Sequence, residues 1–114
     1  MESRLTWTKI TLHLRNPFRI SYGVTEERRA YWIRLENDSG WGEGTIPPYY
    51  GVRQDAMETF WQQAAESPKA FPEKCEEIAD WIGDFGPAPA RCGLDLAFHD
   101  RIARLHHVPL YQLL

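Results

Sequence analysis

An α+β fold, a three-stranded antiparallel meander followed by a layer of three helices, is predicted by three features of this sequence. Residues 1–46 are rich in β-branched and aromatic side chains in period-2 alternation, residues 47–114 carry apolar residues at helical spacing, and the two regimes meet near residue 50. Elements segregated in this way pack as one sheet covered by a helical layer. The 114 residues, 43% hydrophobic with five each of Trp, Tyr and Phe, suffice for a single domain with an aromatic core.

From Leu5 to Leu14, Leu5, Trp7, Lys9, Thr11 and His13 alternate with Thr6, Thr8, Ile10, Leu12 and Leu14. This predicts a long strand with Ile10, Leu12 and Leu14 facing inward near its end. Asn16-Pro17 is expected to break its ladder, because proline has no amide proton and restrains the residue before it. A second strand is predicted over residues 28–37, where Ala30, Trp32 and Arg34 alternate with Tyr31, Ile33 and Leu35. Asn37-Asp38-Ser39-Gly40 supplies turn residues, and a short strand follows at residues 41–45. The connection over residues 16–27 is longer than a tight hairpin needs and reads as a functional loop.

The helices follow from spacing and breakers. Ala56, Phe60 and Ala64, with Met57 and Trp61 beside them, predict a helix over residues 53–66 that ends at Ser67-Pro68. Phe71, Cys75, Ile78, Ile82 and Phe85 mark one face of a second helix, with Pro72 and Glu73 in its first turn. Gly86-Pro87-Ala88-Pro89 interrupts the pattern, and a third helix over residues 89–105 buries Leu94, Phe98, Ile102 and Leu105. Pro109 stops the chain before a last turn at residues 110–114.

Composition excludes several functions. Lys and Arg total 13 against 16 Asp and Glu, a charge of −3, so no overall cationic field draws the chain to nucleic acid. No stretch approaches the length of a membrane span, and residues 1–5 lack the apolar core of a secretory signal. Cys75 and Cys92 form neither a disulfide framework nor a zinc pattern, which fits a cytoplasmic protein.

No catalytic residue and no metal ligand is assigned. His106 and His107 diverge around a helix, and His99 sits two turns from His106, so neither pair chelates one ion. Asp95 and His99, at i,i+4, read as a local side-chain pair rather than a metal edge. Ser21, Ser39 and Ser67 lie in turn-like surroundings outside any nucleophile elbow. Cys75 reads as a small core residue, and Gly40-Trp41-Gly42-Glu43-Gly44 lacks the spacing of a phosphate loop. Glu43, between two glycines, reads as a structural anchor, the glycines letting another backbone approach closely.

Two loops with apolar and aromatic residues remain, one carrying Phe18, Ile20, Tyr22 and Gly23, the other Pro47, Pro48, Tyr49, Tyr50 and Gly51. Both leave the same end of the expected meander. They either cover a ligand jointly or pack onto their own helices.

Four segments in order carry a resemblance: Asn16-Pro17-Phe18-Arg19-Ile20-Ser21, Asp38-Ser39-Gly40-Trp41-Gly42-Glu43, residues 90–100 from Ala90 through Gly93-Leu94-Asp95 to His99-Asp100, and Val108-Pro109-Leu110-Tyr111-Gln112-Leu113-Leu114. Over essentially its whole length the chain resembles the N-terminal capping domain of the enolase superfamily. Within that superfamily it is most similar to the dipeptide epimerases of the muconate cycloisomerase (mandelate racemase/muconate lactonizing enzyme) subgroup.

The resemblance implies an isomerase that abstracts a proton next to a carboxylate, with magnesium stabilising the enolate and lysines moving the proton. Those lysines and the acidic magnesium ligands belong to a TIM barrel that would begin where this sequence stops, at Leu114, so these residues alone are expected to be inactive. By motif position, Phe18 to Thr25 and Pro47 to Val52 correspond to the two loops that close over the barrel mouth. The implied substrate contacts are Phe18, Arg19, Ile20 and Tyr22, with Pro48, Tyr49 and Tyr50. His99 stands where many relatives carry Trp.

The implied partners are the barrel domain and a small carboxylate or dipeptide such as L-Ala-D/L-Glu, with a homo-oligomer compatible and no nucleic acid or membrane. Muconate cycloisomerase-like and o-succinylbenzoate synthase-like caps share the motifs. A free-standing binding or dimerisation module is the alternative from another class. A cap without its barrel is expected to expose an apolar patch of several hundred Å².

Overall fold

The computed structural model describes residues 4–20, 23–46 and 51–114, with the backbone alone at residues 17–20 and 23–26. Three strands form one antiparallel sheet in the order β1 (Leu5–Ile20), β2 (Gly23–Leu35), β3 (Trp41–Thr45). Three helices follow, α1 (Gln54–Glu66), α2 (Ile78–Ile82) and α3 (Ala88–Leu105). Short 3₁₀ turns sit at Glu36–Asp38, Cys75–Glu77 and Leu110–Gln112. The α+β class and the order of elements are as the alternation and the helical spacing predict.

The first strand departs from expectation twice. Pairing runs from Leu5↔Leu35 to His13↔Glu27, and resumes at Phe18↔Thr25, so residues 14–17 stand opposite residue 26 alone. Asn16-Pro17 therefore lies in a bulge rather than at a strand end. Proline cannot donate to the ladder, and a bulge on an edge strand tolerates that loss. The connection read as a long loop is mostly hairpin, with β1 ending at Ile20 and β2 starting at Gly23.

The inward face of β1 is also the opposite of the one expected. Cross-strand partners share a face, and Leu5 and Trp7 pair with Leu35 and Ile33 on the side where the helices lie. Leu5 is buried and Trp7 packs on the core, whereas Leu12 is 38% exposed on the other face. The strand is apolar on both sides in turn, and only the register selects which side is inner.

The core lies between the inner sheet face and the helices. Tyr31, Ile33 and Leu35 meet Met57 and Trp61 of α1 and Leu94, Ala97, Phe98 and Ile102 of α3. Tyr31 and Trp61 rings pack edge to face at 4.9 Å, and Trp61 Nε1 donates to Ala90 O at 3.0 Å, tying α1 to α3 inside the core. Each buried aromatic ring of this kind contributes a large apolar area and a directional contact.

The second helix is much shorter than its apolar spacing predicts. The Glu77 carboxylate accepts the amides of Glu73 and Lys74, so helical structure starts only at Cys75, as a 3₁₀ turn leading into α2. Gly83, at φ +78°, ends it in the left-handed region that favours glycine. Phe85 is consequently 89% exposed instead of completing a buried stripe. Phe71, by contrast, is buried from an extended segment, stacked 5.2 Å from Phe98 with the Arg4 guanidinium 4.5 Å over its ring.

The third helix begins at Ala88 with Pro89 in its first turn, matching expectation. Leu105 is 51% exposed rather than buried. A side chain at Gly40, where the sheet ends, would touch Arg101, so Leu105 lies a turn past the surface that could cover it.

Candidate functional site

The described residues that flank the expected site include the end of the sheet where the β1–β2 hairpin turns. β1 ends and β2 begins there, and β3 runs toward the same end but stops partway along β2, since Thr45 pairs with Ala30 and the Ile46 amide donates to Arg29 O at 3.0 Å. The two segments singled out as loops therefore follow strands that run in the same direction along one sheet. The second is held at both flanks, because Ile46 before it and Val52 after it pack against the core.

Past Val52 the chain turns directly into α1, and the Arg53 guanidinium pairs with Asp55 at 2.7 Å at its start. At the hairpin base His13 Nδ1 lies 3.4 Å from a Glu27 carboxylate oxygen. Phe18, Arg19 and Ile20 fall within β1, but their side chains lie outside the described residues. Tyr22, Pro48, Tyr49 and Tyr50 lie outside the described residues altogether.

The sheet end is positioned by a close contact between β3 and α3. A Cβ built on Gly42 would lie 2.0 Å from Gly93 O and 2.9 Å from the Ala97 amide nitrogen. Only a residue without a side chain allows that approach, which is the role expected of the glycines around Glu43. Glu43 itself is not the anchor. It pairs with Trp32 on the face away from the helices, is exposed, and has no hydrogen bond or ion pair among the described residues.

The anchoring carboxylate is Asp100. Its Oδ2 accepts the Trp41 amide at 2.8 Å and lies 3.2 Å from Arg104 Nε, so α3 is stitched to the first residue of β3. In the sequence Asp100 stands out only as the last residue of the segment at 90–100. A carboxylate one turn before an arginine was the available signal, but its partner is a backbone amide 59 residues away.

The remaining candidates occupy ordinary structural roles. His99 Nδ1 lies 3.0 Å from the Asp95 carbonyl oxygen and 3.4 Å from its carboxylate, the local pair expected from the spacing. Cys75 is half-buried against the core and Cys92 is exposed. Tyr31 is fully buried, and its hydroxyl has no hydrogen-bond partner among the described residues. Burial first, and then the charge of Glu58, push its pKa up from 10.0 to about 12.

Among the described residues no group of three or more His, Cys, Asp or Glu side chains could hold a metal ion. The described residues therefore offer no donor set for magnesium. No described helix is long and apolar enough to cross a membrane.

No protein-family model matches the chain. An L-Ala-D/L-Glu epimerase of Bacteroides thetaiotaomicron is 25% identical over 96% of this chain and 30% of its own length. A hydrophobic dipeptide epimerase of Enterococcus faecalis is 30% identical over 90% of this chain and 31% of its own length. The crystal structure of a dipeptide epimerase from Enterococcus faecalis, complexed with Mg and the dipeptide L-Leu-L-Tyr, superposes with a TM-score of 0.76 at 24% identity, over 98% of this chain and 34% of that one. The chain spans about a third of the length of the curated relatives it matches. In sequence and in fold, the homologues of this chain are dipeptide epimerases and racemases of the enolase superfamily, which it matches over about a third of their length.

Proposed function

We propose that these residues form the substrate-capping, specificity-determining part of a magnesium-dependent dipeptide epimerase that abstracts a proton next to a carboxylate. The observation that supports this reading is that the β1–β2 hairpin and the β3–α1 connection follow strands running in the same direction along a sheet locked to α3.

The chemistry divides between the cap and the rest of the enzyme. A proton next to a carboxylate is weakly acidic, so the step needs fixed positive charge near the developing enolate, which magnesium supplies when bound. The cap excludes water and holds the part of the dipeptide remote from the reacting carbon. Phe18, Ile20, Tyr22, Pro48, Tyr49 and Tyr50 provide apolar and aromatic walls, and Arg19 provides a guanidinium for a carboxylate. Remote contacts of this kind set kcat/KM ratios between substrates without supplying a reactive group.

Grafting tests the reading. This chain replaces the N-terminal third of an L-Ala-D/L-Glu epimerase, and kcat/KM is measured over a panel of dipeptides. The expected outcome is retained exchange of the α-proton in deuterium oxide with an altered order of preferred dipeptides, and a further change on R19A or Y49A. An unchanged preference in the folded, exchanging hybrid refutes the assignment.

A further inference from the structure

The face of the sheet opposite the helices has no covering element among the described residues, and it is not a neutral surface. Trp32 and Trp41 stand on it 47% and 40% exposed, their rings edge to face at 6.4 Å. With Glu43 and with Leu96 and Leu110 from the α3 side, they line a groove of about 410 Å³.

The charges around this groove are matched except one. Asp100 pairs with Arg104 and the Trp41 amide, and Arg34 pairs with Asp38. Glu43 pairs with no cation among the described residues, although it sits directly across from Trp32 in the β2–β3 register. An exposed carboxylate beside an exposed indole face attracts a cation that is flat enough to stack and offers paired N–H donors. A guanidinium meets both demands, whereas an ammonium is neither flat nor a fixed pair of donors. The same face already holds one guanidinium in this way, with Arg34 5.8 Å over the Trp41 ring.

We propose that this face docks a polypeptide segment presenting an arginine, with the guanidinium between Trp32 and the Glu43 carboxylate and the aliphatic stem along Leu96 and Leu110. A surface-lying groove with an apolar floor at one end and one unmatched negative charge fits a side chain with a methylene stem carried by a larger partner. This proposal uses none of the residues assigned to the loops above.

The test uses the full chain labelled with ¹⁵N and titrated with acetyl-Leu-Arg-Leu-amide, against the same peptide carrying citrulline in place of arginine. The expected result is saturable movement of the Trp32 and Trp41 indole N–H signals and of the Gly42 amide. Affinity should fall about tenfold or more both for the citrulline peptide and for E43Q, since each removes one side of a charge-assisted hydrogen bond. W32F keeps part of the binding and W32A loses it. Equal binding by the citrulline peptide, unaltered binding by E43Q, or no saturable movement at millimolar peptide overturns the proposal. Self-association in sedimentation that buries Trp32 and survives E43Q assigns the face to a second copy and overturns it as well.

Discussion

Replacing Gly42 by alanine tests whether the β3–α3 contact is what holds the sheet end in place. The added methyl would stand 2.0 Å from Gly93 O, 2.9 Å from the Ala97 amide nitrogen and 3.2 Å from Ala97 Cβ. Carbon–oxygen contacts settle at about 3.3–3.6 Å, so α3 has to retreat from β3 by more than about 1 Å. The two nearest obstacles are backbone atoms, which no side-chain rotation moves aside. A gap of about 0.5–1 Å already forfeits a quarter to a half of each dispersion contact, and the loss falls on the buried Leu94, Ala97 and Phe98.

The expected cost is about 3 kcal/mol or more, the upper end of overpacking, and the smaller unfolded-state entropy of alanine offsets less than about 1 kcal/mol of it. In thermal unfolding followed by circular dichroism this corresponds to a drop of roughly 12 °C or more in Tm. The control is G44A, whose methyl would lie 3.1 Å from both Pro89 O and Trp61 Cζ2 and can be absorbed by a shift of a few tenths of an ångström. It should cost only about 1 kcal/mol. A G42A protein as stable as the wild type, or less destabilised than G44A, refutes the close-contact reasoning.

Asp100→Ala removes the acceptor of the Trp41 amide and should cost about 1–3 kcal/mol in urea unfolding, with faster hydrogen exchange at Trp41. Tyr31 predicts a pH effect with a definite sign. Its hydroxyl is neutral in both states below pH 10, and the unfolded chain ionises first between pH 10 and about 12. Stability therefore falls with rising pH across that window, by up to about 3 kcal/mol from this group. Y31F should lack this component of the alkaline decline. Phe85→Ser should change stability by less than about 0.5 kcal/mol in the same urea assay, because the ring is 89% exposed.

Fold class, element order and most boundaries were legible in the residues themselves. Alternation, helical spacing and turn chemistry are local properties, written within a few positions of one another. The third strand at Trp41–Thr45 and the long helix ending at Leu105 were readable on that basis. So was the shared direction of the strands that the two loops follow, which comes from antiparallel connectivity alone.

Tertiary structure decided what depends on partners far apart in the chain. Leu5 and Trp7 face the core, and Leu12 does not, because pairing with Leu35 and Ile33 sets the register of a strand that is apolar on both sides. The Pro17 bulge, the late start of α2 behind the Glu77 carboxylate and the exposure of Phe85 likewise rest on contacts that spacing does not encode. The sequence singled out the carboxylate between glycines, Glu43, whereas the fold assigned the anchoring role to Asp100. A hydrogen bond between a side chain and a distant amide leaves no periodic trace, since its energy comes from a meeting that exists only once the chain has folded.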